Sequence, residues 1–136
     1  LACASRQADQ FVSWVKEQEW YENTTIILMG DHLSMKADFW DDINDYQRKI
    51  YNCFLNLPQG VMCEYTRNRD FTVMDMFPTI LAAIGADIEG ERLALGVNLF
   101  SDQKTLPEIM GSKEFNRELD LYSNYYYKNF IIGENK

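Results

Sequence analysis

The chain is poor in several residue types: it contains one histidine, three prolines, three cysteines and few basic residues. No apolar run approaches the ~18–20 residues of a membrane-spanning helix, and no signal peptide opens the chain. Thirteen Lys and Arg stand against 21 Asp and Glu, which gives a formal net charge of −8. Because binding to a phosphate backbone needs a clustered basic face, this balance argues against nucleic acid as a partner.

The three cysteines are Cys3, Cys53 and Cys63, and their spacing matches neither a zinc ribbon nor a CxxC redox pair. Two interpretations stay open for Cys53 and Cys63. They form a bridge if two strands meet there, or they remain separate thiols, which the odd number of cysteines favours.

The composition is otherwise that of a folded domain. Hydrophobic residues make up 46% of the 136 residues, which is more than a disordered chain contains and enough for one domain with a core. The first nine residues, LACASRQAD, lack Met and enter a helical pattern almost at once. We therefore expect a fragment of a longer protein.

Hydrophobic periodicity predicts alternating helices and strands. Residues 5–22 and 70–85 carry apolar residues at helical spacing, and residues 25–29 and 50–57 are short apolar runs typical of strands. The run 25–29 does not alternate, as in a strand covered on both faces of a parallel sheet. The predicted fold class is therefore α/β, with a mostly parallel sheet flanked by helices. Residues 105–128 read as further helical pieces.

Several polar or aromatic residues allow both a structural and a functional interpretation. Thr72-x-x-Asp75 fits a capping box, which explains the Asp75 carboxylate without a catalytic role. Arg67 and Arg69 suit an anionic substrate, but solvation at the surface is favoured. The tyrosine run 125–127 suits a lipid surface, although packing of the terminal segment is the preferred prediction.

An acidic segment follows the first predicted strand. Residues 33–47 read as a surface loop that carries Asp38, Asp41, Asp42 and Asp45. These carboxylates suggest calcium, but the spacing of a calcium-binding loop is absent. A solvated acidic face is therefore favoured.

The single histidine stands in a chemically suggestive place. Asp31 and His32 follow Gly30 directly after the first strand, and ligands of open α/β sheets bind beyond the carboxyl ends of strands. A carboxylate and an imidazole supply half of a divalent-metal site, the rest coming from distant residues. A simple turn is the alternative. A Ser-His-Asp arrangement with Ser34 is disfavoured because the G-x-S-x-G elbow is absent.

Two motifs carry a resemblance to a known family: WYENTTIILMGDH at residues 20–32 and FTVMDMFPTILAAIGADIEGERLALGVNLFS at residues 71–101. Together they resemble the C-terminal part of the sulfatase-like branch of the alkaline phosphatase superfamily. Within that branch the chain is most similar to bacterial phosphoglycerol transferases of the lipoteichoic acid synthase type. The resemblance covers residues 8–101. By this resemblance, residues 1–136 are expected to form part of a single catalytic domain, and residues 102–136 are a C-terminal extension that the resemblance does not assign.

The resemblance implies a metal site but no complete active site. Asp31 and His32 match the family's ligands to a catalytic divalent metal, with Mn²⁺ favoured over Mg²⁺, Zn²⁺ or Ca²⁺. The family's nucleophile is a threonine in the transferases and a formylglycine in sulfatases. Neither has a match, since CASR at residues 3–6 is not C-x-P-x-R. We therefore expect the isolated chain to be inactive.

The resemblance also implies the reaction of a longer parent. Its nucleophile takes a phosphoglycerol group from a phospholipid headgroup and passes it to a glycan or polyol-phosphate acceptor. Such parents are anchored in the cell membrane through N-terminal segments, with the catalytic domain outside the cytoplasm. The alternatives are a sulfatase or phosphodiesterase-type hydrolase of the same superfamily, or a non-catalytic module.

Overall fold

The chain folds into two compact units. The first comprises Leu1–Val61 with Ala83–Gly85, and the second comprises Met62–Ala82 with Ala86–Lys136. The computed structural model describes residues 2–33, 49–61 and 67–133, with Ala2 described by its backbone alone.

The first unit contains one helix and one pair of strands. Its elements are α1 (Ala2–Lys16), a 3₁₀ turn (Tyr21–Asn23), β1 (Ile26–Met29) and β2 (Asn52–Leu55). Helix α1 buries Val12 and Val15, which lie three residues apart on the stripe that the periodicity predicts. The helix ends at Lys16, earlier than the predicted Glu22.

The strands pair differently from the prediction. β1 and β2 run antiparallel, with Ile26 opposite Leu55 and Met29 opposite Asn52. The residues of β1 are half-buried, apart from the exposed Met29. In place of the predicted parallel sheet, the described residues form two antiparallel pairs. An unbroken apolar run indicates a strand, but the direction of its neighbour depends on residues distant in sequence.

Asn56 holds the start of β1 in place through its side-chain hydrogen bonds. Its φ of +56° lies in the left-handed region that asparagine tolerates. Its side-chain amide donates to the carbonyls of Tyr21 at 2.6 Å and Thr24 at 3.0 Å. The Thr25 hydroxyl shares its hydrogen between the carbonyls of Asn56 at 3.1 Å and Ala83 at 3.0 Å. These bonds hold the start of β1 in place.

The second unit is mostly helical. Its elements are α2 (Val73–Ala83, which ends in the first unit), a 3₁₀ turn (Glu89–Glu91), β3 (Arg92–Leu93), β4 (Gly96–Val97), α3 (Leu106–Met110), α4 (Ser112–Leu119), α5 (Asn124–Tyr126) and a π-helix (Tyr127–Ile132). β3 and β4 form a short antiparallel hairpin. Gly111 separates α3 from α4, where the sequence predicts helical pieces rather than one helix.

The Asp75 carboxylate joins the start of α2 to β4. It is 1% exposed, and its Oδ2 accepts from the Thr72 backbone N–H at 2.7 Å and the Thr72 hydroxyl at 3.0 Å. The Thr72 hydroxyl in turn accepts from the Met74 N–H at 3.2 Å. Hydroxyl and carboxylate thus both satisfy free backbone N–H groups, as predicted, although the hydroxyl bonds the second helical residue and not the third as in a complete capping box. Oδ1 accepts from the Val97 N–H at 2.8 Å. Asp75 therefore has a structural role.

The middle of α2 packs its backbone against the same hairpin. Pro78 has no N–H to donate to the Met74 carbonyl four residues earlier. Gly96 packs against that carbonyl so closely that a Cβ on it would lie 2.0 Å from the oxygen. The Thr79 hydroxyl donates to the Asp75 carbonyl at 2.6 Å and accepts from the Leu99 N–H at 2.9 Å. Helix and hairpin are therefore joined by polar contacts along two turns.

Arg69 is largely buried within the second unit, although the sequence favoured a solvated position at the surface for this side chain. Its side chain is 9% exposed. The guanidinium donates to both Glu108 oxygens, at 3.1 and 2.8 Å, and to the carbonyls of residues 99, 101 and 103. Glu108 also accepts from the Thr105 N–H at 2.9 Å, which completes a capping box at α3. Because its five N–H donors are all engaged, Arg69 organises this loop and has no donor left for a substrate.

We predict that Asp75→Asn lowers the free energy of unfolding by about 2–4 kcal/mol, because an amide hydrogen then faces a buried donor. Urea unfolding followed by circular dichroism measures the loss. Asp87→Asn is the matched control, since Asp87 is exposed and its substitution removes the same charge. Equal stability of the two variants would show that the Asp75 carboxylate stabilises the fold no more than an amide does.

We predict that Glu108 makes the fold sensitive to acid. Its hydrogen bond from Arg69 lowers the pKa of Glu108 despite partial burial. This stability is complete above the unfolded-state pKa of about 4.3 and is lost as the pH falls through the lower folded-state value. Glu108→Gln should cost about 1.5–3 kcal/mol at neutral pH and flatten this acid dependence.

Urea unfolding at a series of pH values from neutral to acid tests the Glu108 prediction. Glu89→Gln is the control, because Glu89 is exposed. An unchanged acid dependence in Glu108→Gln would contradict the assignment.

Candidate metal site

The candidate site begins where the β1–β2 ladder ends. Beyond Met29, the Gly30 N–H donates to the Tyr51 carbonyl at 2.9 Å, which extends the pairing by one residue. A Cβ at Gly30 would lie 3.1 Å from Cγ2 of Ile50, so the small residue lets the strands stay close. The next two residues, Asp31 and His32, leave the ladder as a bend.

Asp31 and His32 direct their polar atoms toward one another. Nε2 of His32 lies 3.5 Å from Oδ2 of Asp31, and the His32 backbone N–H donates to Oδ1 of Asp31 at 2.9 Å. The His32 side chain is 59% exposed and the Asp31 side chain is 88% exposed. The predicted pair is therefore brought together and stays open to solvent.

The Leu33 carbonyl orients the imidazole. Nδ1 of His32 lies 2.7 Å from that oxygen. A carbonyl only accepts, so Nδ1 is assigned the hydrogen, and in the neutral ring Nε2 keeps its lone pair. Metal-binding histidines use the same arrangement, in which a carbonyl holds one nitrogen and the metal takes the other.

The donor set fits part of a divalent-metal site. One imidazole nitrogen and one carboxylate oxygen suit Zn²⁺ or Mn²⁺. Within residues 2–33, 49–61 and 67–133, no group of three or more His, Cys, Asp or Glu side chains is placed to hold a metal ion. Ser34 and the four aspartates of the acidic segment lie outside these residues. The pair thus supplies two ligands and needs others.

The neighbours of the pair on β2 and directly before it were not identified from the sequence. Tyr51 is 66% exposed, and a hydrogen bond with the Cys53 side chain raises the pKa of its phenol. Asn52 lies opposite Met29, and its buried Oδ1 has no hydrogen-bond partner in the described part of the chain. Only the strand register places these residues beside Gly30. Cys63 lies outside the described residues, so its pairing with Cys53 stays a prediction.

The other candidate residues belong to the second unit. Asp75 and Arg69 are engaged in the second unit, as described above. The tyrosines of residues 125–127 are exposed, and their ring contacts are with Tyr122 and Phe130 of the same segment. In the described part of the chain, no helix combines the length and apolar character needed to cross a membrane.

Comparison with known proteins confirms the predicted resemblance. Phosphoglycerol transferase I of Citrobacter koseri is 29% identical over 118 residues, which is 84% of this chain and 14% of the relative. The proteins of the same name from Salmonella choleraesuis and Escherichia fergusonii are 28% and 29% identical over the same shares. No family model and no solved structure matches the chain. The chain is similar to proteins named phosphoglycerol transferase I and spans about one seventh of their length.

Proposed function

We propose that the chain is the C-terminal part of a metal-dependent phosphoglycerol transferase, in which Asp31 and His32 bind the metal. The observation that carries this proposal is the exposed pair at the end of β1, with Nε2 and Oδ2 separated by 3.5 Å. The relatives named phosphoglycerol transferase I support the class of reaction.

The two residues have distinct parts in this proposal. A divalent metal, with Mn²⁺ preferred, would supply a Lewis acid for phosphoryl transfer. Asp31 contributes a carboxylate oxygen, and His32 contributes Nε2 while the Leu33 carbonyl holds its ring in place. Neither residue transfers a proton. Because protons compete with a metal for the imidazole nitrogen, binding should weaken as the pH falls.

The remaining parts of the proposal concern the longer protein. Its substrates are a phospholipid headgroup as donor and a glycan or polyol phosphate as acceptor. Its catalytic domain lies outside the cytoplasm and is anchored in the cell membrane. The nucleophile and the other metal ligands come from sequence beyond this chain.

The unpaired edge of β1 suits the predicted parallel sheet. Among the described residues, β1 pairs with β2 alone, and an isolated pair of strands is marginally stable in water. We infer that the other edge of β1 continues into parallel strands of the longer protein. Asp31 and His32 then lie at the carboxyl edge of that sheet, where ligands bind.

We predict that Mn²⁺ binds the chain weakly at His32. Two ligands alone should give a dissociation constant of about 1 mM or weaker. The chain has one histidine, so its imidazole proton signals in NMR report on this position alone. Mn²⁺ should broaden them selectively, and Asp31→Asn should require about tenfold more metal because one ligand is removed.

Asp87→Asn is the matched control for the metal titration, since it removes an exposed carboxylate elsewhere. It should leave the Mn²⁺ titration unchanged. Equal broadening in Asp31→Asn and in the unmodified chain would refute a shared site. Calorimetry that showed tight binding abolished by His32→Ala would show that the site needs no further ligands.

We predict that the chain alone does not cleave a chromogenic phosphodiester or sulfate ester, because no residue in it matches the family's nucleophile. The assay compares the chain with its His32→Ala variant in the presence of Mn²⁺. Turnover that requires His32 would show that the chain holds its own nucleophile. The assignment of catalysis to sequence beyond the chain would then be wrong.

A further inference from the structure

We draw no further inference here: the strongest candidate, the side-chain pair of Tyr51 and Cys53 at the start of β2, belongs to the candidate metal site already described, and nothing in the described part of the chain shows which ligand would contact it.

Discussion

The pairing of β1 with β2 is the constraint on which the candidate metal site depends. Asp31 and His32 are exposed and make their polar contacts with each other and with Leu33. Their position is therefore set by the backbone before them. The ladder continues through the Gly30–Tyr51 hydrogen bond and ends there, so the two side chains emerge together at one edge. A shift of the register by one residue would reverse the face of every strand side chain and separate Met29 from Asn52.

Local patterns predicted the elements well and their pairing poorly. Helices α1 and α2, strands β1 and β2 and the Thr72–Asp75 capping interactions each depend on residues a few positions apart, which periodicity reveals. The antiparallel direction of β2 and the Val97 bond to Asp75 depend on residues 20 or more apart. Arg69 shows the same limit. Its neighbours along the chain resemble a surface loop, but its acceptors lie 30 to 39 residues away.

The sequence singled out the residues of the candidate site but did not indicate their geometry. The single histidine, next to a carboxylate and directly after a predicted strand, indicated Asp31 and His32 as candidate residues. The motif resemblance then implied that they are metal ligands. The role of the Leu33 carbonyl in fixing the imidazole was not visible, since it depends on the bend that follows the strand. The sequence also did not indicate the buried Asn52 oxygen, which has no hydrogen-bond partner in the described part of the chain, or the neighbouring Tyr51. Only the register between β1 and β2 places these residues beside Gly30.

Burial distinguishes the two kinds of carboxylate in this chain. Asp75 is 1% exposed and accepts three hydrogen bonds, as a buried charge must if its desolvation is to be offset. Such a group is closed to solvent and has three of its about four acceptor sites occupied, so a ligand could reach it only by disrupting the fold. The Asp31 side chain is 88% exposed, retains contact with water and contributes little to stability. A cation can therefore replace water at Asp31 without disrupting the core, whereas at Asp75 it would have to displace the start of α2. For this reason the exposed acid beside the histidine, rather than the buried one, is the better candidate for a metal ligand.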